Sequence, residues 1–175
     1  MIGRISEQFG GYIYRHNDRK QVSQDVLVFA IKSLLTNLLT IAFSLTAGFA
    51  LGAFQETLIV LVAMALLRNL TGGYHFKSPT ACILISSSVV AVIPHIPFTD
   101  ALLIPSALVT MLLILLYAPA DLKGVTTLSS RRLLVMKLVA LAFVASNLFL
   151  EWHLLALSFL AQVLTILPFK GRQSK

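Results

Sequence analysis

RNLTGGYHFKSPTACILISSS, Arg68 to Ser88, decides how the chain is read. Gly72 and Gly73 are adjacent, His75 follows, and seven residues after the histidine comes Cys82, the only cysteine of the chain. His75 sits in a polar break between two apolar runs. Ser78-Pro79 is a helix start, with Ser78 suited to the N-cap and Pro79 to the first helical position. Cys82 then falls in the first helical turn, where unbonded amides and the positive dipole end favour a thiolate. A neighbouring imidazolium would favour it further. Glycine accepts positive φ and close backbone approach, so Gly72-Gly73 is expected to let a flexible loop fold His75 back toward Cys82. These residues read either as a candidate Cys–His pair of nucleophile and base or as an inert packed thiol near a solvated histidine.

Around this stretch the chain is apolar. Of its 175 residues, 57% are hydrophobic and only 12% charged, and the mean hydropathy is +0.86. A soluble domain of this size cannot hide so much apolar surface, so the composition predicts an integral membrane protein. The apolar runs are too long and continuous for barrel strands, which makes the spans helices. Residues 1–25 are polar and lack the apolar core of a signal peptide. They carry Ile2, Ile5, Phe9, Tyr12 and Ile13 at roughly helical spacing among charges, which reads either as an interfacial amphipathic segment weakened by Gly10-Gly11 or as a frayed polar tail.

The expected fold is all-α, a single membrane domain over residues 1–175 with a six-helix core at 26–170 and a catalytic loop at 68–82. The spans run Val26–Leu51, Thr57–Leu67, Pro79–Pro94, Ala101–Ala118, Leu133–Leu150 and Leu154–Leu167. With six spans both termini share one side. Arg4, Arg15, Arg19, Lys20, Arg68, Lys77, Lys123, Arg131 and Arg132 all fall on that side, and Lys32 and Lys137 lie at the span ends nearest it. The opposite loops carry Glu56, Asp100 and Glu151 and no Lys or Arg. This asymmetry places the termini and the His75 loop in the cytoplasm of a multi-pass cell-membrane protein. The net charge of +7 is then topogenic and lipid-facing, and nucleic acid is excluded as a partner. Gly48 and Gly52 form a small-xxx-small pair, a packing motif that would serve a homodimer.

Other chemistries lack their residues. A zinc motif, a second cysteine, a Gly-x-Ser-x-Gly elbow and a Walker-type loop are all missing from the sequence, so no metal or cofactor is expected. Asp121 is a candidate third member beside His75, or simply a loop acid after Pro119. Arg68, the one charge closing the second run, is expected either to anchor at the interface or to grip a substrate carboxylate with its planar fork.

The spacing Arg68-x4-Gly73-x-His75-x6-Cys82, with Gly72 before and Ser86 after, closely resembles the AgrB family, the accessory gene regulator B proteins of Gram-positive quorum sensing. Tyr117-Ala118-Pro119-Ala120-Asp121 is similar to the family's Tyr-Ala-Pro segment, whereas the Leu-Lys-Gly-Val that follows differs from the usual proline- and lysine-rich run. The resemblance implies a membrane-embedded cysteine endopeptidase acting on a small amphipathic propeptide, AgrD-like. His75 would be its catalytic base and Cys82 its nucleophile, with Arg68, Gly72, Gly73 and Ser78 supporting or binding substrate. It further implies a thioester on Cys82 that the propeptide's own Cys or Ser attacks to close a thiolactone or lactone.

Two other readings fit the span layout: a small multi-span transporter or peptide exporter without proteolytic activity, and a non-catalytic scaffold. Few charges lie inside the spans, which speaks against an ion path, and a scaffold leaves the glycine loop and Cys82 without a purpose. The topology is testable: reporters fused after Glu56, Asp100 and Glu151 are expected to read as external. A cytoplasmic signal at any of the three breaks the six-span layout.

Overall fold

The computed structural model describes residues 2–16, 22–74, 78–120 and 129–167, and its ordered elements there are helices, with no strand among the described residues. In chain order these are α1 Ile2–Arg15, α2 Gln24–Ala50, α3 Phe54–Thr71, α4 Pro79–Val92, α5 Leu103–Tyr117, α6 Ser130–Leu150 and α7 His153–Leu164. Short 3₁₀ turns, Ile93–His95 and Asp100–Leu102, flank the α4–α5 connection. Pro94, which has no N–H to donate, falls within the first of these, just past the end of α4. The expected catalytic loop is narrower than 68–82: Arg68 closes the last turn of α3 and Pro79 already opens α4.

Among the described residues, four helical segments are long and apolar enough to cross a membrane: Gln24–Ala50, Phe54–Thr71, Asp100–Tyr117 and Ser130–Leu150. The expected count of six adds Pro79–His95 and His153–Leu164, which are apolar but shorter. At 12 residues, α7 rises only about 18 Å, against a hydrocarbon core of about 30 Å. Its surroundings explain how so short a helix is tolerated. It packs against α3, α5 and α6, so neighbouring protein covers much of its middle. Phe159, Val163 and Ile166 join Leu67, Ile114, Ala140 and Val144 in the main core. The outer helices instead turn apolar side chains outward, as Phe29, Phe49 and Phe149 do, which suits a lipid solvent.

Contacts at the two ends of the bundle set α3, α5 and α7 in a common direction. Ala120, just past α5, donates its N–H to Thr71 O at 2.8 Å, and Tyr74, just past α3, donates to Thr165 O at 2.8 Å. The C-terminal ends of α3, α5 and α7 therefore meet. At the far end His153 Nε2 lies 2.6 Å from Asp100 Oδ1, joining the start of α7 to the start of the α5 segment. Buried Asn147 staples the α6–α7 turn, donating to Trp152 O at 3.1 Å and accepting from its N–H at 3.2 Å. Lys137 Nζ donates to Leu115 O, meeting a carbonyl that the end of α5 leaves open. Hydroxyls inside the bundle mostly bond carbonyls of their own helix, as Thr36 does to Lys32 O and Ser87 to Ile83 O.

Two glycine readings change. Gly10 and Gly11 do not weaken α1, which continues through both. Gly10 lies so close to α2 that a Cβ there would meet Val28 at 2.6 Å. The small residues Ser6, Gly10 and Gly11 face inward, while Phe9, Tyr12 and Ile13 point outward. That is the arrangement of an amphipathic helix whose apolar side enters lipid rather than its own protein. Gly48 is likewise engaged within the chain: a Cβ there would fall 2.4 Å from Thr57 Oγ1. The glycine that suggested a homodimer motif is thus taken up by the α2–α3 contact.

Thr57 Oγ1 is buried with no hydrogen-bond partner among the described residues. Gly48→Ala is expected to destabilise the fold by about 1–3 kcal/mol through overpacking. Thr57→Val, which removes an unsatisfied hydroxyl at nearly constant shape, is expected to leave stability unchanged or raise it by about 1 kcal/mol. Thermal unfolding midpoints of the purified variants in one detergent check both signs.

Candidate functional site

The site begins where α3 stops. Gly72 N–H donates to Arg68 O at 2.8 Å and closes the last turn. The chain then takes φ 72°, ψ −157° at Gly72, a region essentially open only to glycine. Space demands glycine as well as conformation. A Cβ at Gly72 would lie 2.0 Å from Ala120 O, and one at Gly73 would lie 2.6 Å from Thr165 Oγ1. The pair therefore serves close approach to two other helix ends rather than flexibility, which corrects the expectation of a loosely folding loop.

Hydrogen bonds fasten the turn from several sides. Thr71 O accepts from Ala120 N–H. Gly72 O accepts from Gln162 Nε2 at 3.2 Å and from Thr71 Oγ1 at 3.2 Å. Tyr74 N–H goes to Thr165 O, and Tyr74 O accepts from Arg68 Nη2 at 2.8 Å. Arg68 thus reaches forward over its own helix end and holds the backbone that leads directly to residue 75. Its charge also sits at a helix C-terminus, where a cation is favoured. Sequence reasoning offered it an anchoring or carboxylate-gripping task, and the geometry adds a third, bracing the turn.

The second half of the site is the start of α4. Ser78 is the N-cap, at φ −90°, ψ 120°, and its hydroxyl accepts from Ala81 N–H at 3.4 Å. Pro79 occupies the first helical position. Cys82 N–H donates to Ser78 O at 3.0 Å, which fixes Cys82 in the first turn. Its thiol is half-buried and free of any disulfide. Proline has no amide hydrogen, and Ala81 and Cys82 are committed, so Thr80 N–H is the first-turn donor left without a partner among the described residues. α4 itself packs chiefly against α2.

The structure thus brings Arg68, Gly72 and Gly73 into one braced turn, and Ser78 and Cys82 into one helix start. His75 lies between them, outside the described residues, as does Asp121. No cluster of three metal-ligating side chains occurs among the described residues. An open cavity of about 320 Å³ sits at the far end, lined by Glu56, Ile93, Phe98, Trp152 and His153 among others. It lies at the opposite ends of the same helices that carry the braced turn and Cys82, so this hollow is separate from the candidate chemistry.

Sequence reasoning missed Gln162, Thr165, Tyr74 and Ala120. Gln162 alone carried a signal, being an amide in a mostly apolar helix, a placement that usually marks interhelical hydrogen bonding. Ala120 acts through backbone atoms, Tyr74 is seen to do so, and Thr165 adds its carbonyl to its hydroxyl; nothing in side-chain identity announces that.

A family model described as accessory gene regulator B matches residues 6–167, nearly the whole chain. No curated protein and no solved structure matches.

Gly72→Ala is expected to be among the most damaging single changes in the chain. It places a non-glycine residue in a glycine-only region, costing about 1–3 kcal/mol, and drives a methyl into Ala120 O, costing about 1–3 kcal/mol more. Gly3→Ala, with nothing within 4 Å of the added Cβ, is the matched control. Unfolding midpoints and proteolysis within the 72–74 segment read the difference.

Proposed function

The chain belongs to the accessory gene regulator B family, and from that premise we propose that it is a cysteine endopeptidase that cleaves and cyclises its propeptide. Membership is consistent with a membrane protein that acts in quorum-sensing peptide processing. The finer reading assigns the chemistry to Cys82 and His75. The observation that carries it is the position of the lone cysteine: the first turn of α4, just after a turn braced by Arg68 and two glycines. A connector between two helices has no need of that bracing.

In this mechanism His75 takes the proton of the Cys82 thiol as Sγ attacks the scissile carbonyl carbon. The carbonyl oxygen gathers negative charge beside the start of α4, where the uncommitted Thr80 N–H and the helix dipole favour an anion. The intermediate collapses by breaking the C–N bond. The C-terminal fragment leaves as an amine with the proton from His75, and the N-terminal part stays as a thioester on Sγ. A cysteine or serine of the same propeptide then loses its proton to His75 and attacks the thioester carbonyl. The bond between the acyl carbon and Cys82 Sγ breaks, the thiol is regenerated with that proton, and a thiolactone or lactone ring is released. Cyclisation must outrun hydrolysis. Tethering gives the internal nucleophile a high effective molarity, and a half-buried thiol beside apolar helices limits water.

Arg68, Gly72, Gly73 and Ser78 support the site in this scheme, Arg68 by holding Tyr74 O and Ser78 by capping α4. The basic ends of the helices, with Arg68, Arg131, Arg132 and Lys137, would face the cytoplasm, and Glu56, Asp100 and Glu151 the outside. Residues 1–175 would then form one membrane domain. The competing reading is a small peptide exporter without proteolytic activity, for which the far-end cavity is the relevant observation.

Cys82→Ala is expected to abolish both propeptide cleavage and any hydroxylamine-sensitive adduct between the protein and the propeptide's N-terminal part. Cys82→Ser is expected to be nearly inactive, because a hydroxyl is far harder to ionise than a thiol. His75→Ala should lower cleavage by about 10²–10⁴-fold, the usual contribution of a positioned base. Efficient cleavage and ring formation by Cys82→Ala, measured by mass spectrometry of the peptide products, would put the exporter reading ahead.

A further inference from the structure

The proposed chemistry leaves a deeply buried amide at the braced turn unused. Gln162 is 1% exposed within the apolar α7, and an amide in such a place costs free energy unless it is hydrogen-bonded. Its Nε2 donates to Gly72 O at 3.2 Å and lies 3.2 Å from Thr165 Oγ1. Thr165 in turn donates its hydroxyl hydrogen to Gln162 O at 2.7 Å and accepts Tyr74 N–H on its own carbonyl at 2.8 Å. The end of α7 therefore grips the chain on both sides of Gly73. The fit is close, since a Cβ on Gly73 would stand 3.3 Å from Gln162 Nε2.

We infer that Gln162, with Thr165, is a positioning residue of the site: its amide holds Gly72 while Thr165 O holds Tyr74, and together they set where the chain departs toward His75. The inference rests on the Cys82–His75 reading. Gln162 acts through the turn and does not touch substrate. Leucine would fill the same volume without a donor, leaving Gly72 O with one bond fewer and the turn free to shift against α4. A displacement of about 1 Å at a reacting pair costs on the order of 100-fold in rate.

The test uses the full-length protein in detergent and iodoacetamide as the probe of its single thiol. Alkylation rates are measured for wild type, His75→Ala, Gln162→Leu, Gln162→Glu, Thr165→Val and the double variant His75→Ala with Gln162→Leu. Gln162→Leu is expected to slow alkylation at least about tenfold, approaching the rate of His75→Ala. The double variant is expected to be no slower than His75→Ala alone, because both changes remove the same contribution. Gln162→Glu offers a rescue that a volume-filling role would not show. Its protonated carboxyl can donate to Gly72 O and its carboxylate cannot, so its rate relative to wild type should rise as pH falls. Thr165→Val should give a smaller loss, and it and Gln162→Glu decide the matter if Gln162→Leu does not fold. Wild-type alkylation in Gln162→Leu, or further slowing in the double variant, overturns the positioning role while leaving the catalytic pair standing. Wild-type alkylation in His75→Ala overturns the pair itself and this inference with it.

Discussion

The closeness of Gly72 to Ala120 is the constraint on which the rest of the arrangement depends. A carbonyl oxygen occupies the space where any other residue would carry its Cβ, 2.0 Å away. Only glycine allows the end of α3 and the segment after α5 to meet there. Once they do, Thr71 O can receive Ala120 N–H, and Gly72 O and Tyr74 N–H come within reach of the end of α7. Three helix ends, each with carbonyls that its own helix leaves open, are thereby joined by hydrogen bonds among themselves. Because Thr71, Gly73 and Ala120 are buried where these ends meet, backbone groups there would otherwise go without partners.

The same economy runs through the bundle. Lys137 meets the open carbonyl of Leu115, Asn147 satisfies the backbone of the α6–α7 turn, and Ser and Thr hydroxyls fold back onto their own helices. α7 is the extreme case. It is short and central, and it carries the polar Gln162 inward. The longer α2 and α6 do the opposite and present Phe29, Phe49 and Phe149 to the surroundings. Burial here tracks position in the bundle rather than hydrophobicity, as a lipid solvent permits.

Much of the site was legible before folding because it is local. Ser78, Pro79 and Cys82 fall within one helical turn, and the rules that place a cap, a first-turn proline and a first-turn thiol operate over four or five residues. The apolar run lengths were equally legible, to within a few residues at their ends. Glycine was read correctly as special and wrongly as flexible. Sequence shows that a Cβ is absent at residues 10, 48, 72 and 73. It does not show that Val28, Thr57, Ala120 or Thr165 stands where that Cβ would be.

By itself, then, the sequence determined an all-helical membrane chain, the alternation of basic and acidic connections, and a lone cysteine at a helix start. Each depends on composition or on residues adjacent along the chain, where helical periodicity and capping geometry act directly. The tertiary structure alone decided which helices are central, that the glycines are close-packed, and that Gln162 and Thr165 grip the turn ninety residues earlier. Those outcomes depend on backbone carbonyls and on absent side-chain atoms meeting across the bundle. Such contacts leave almost no mark on residue identity until the helices are packed.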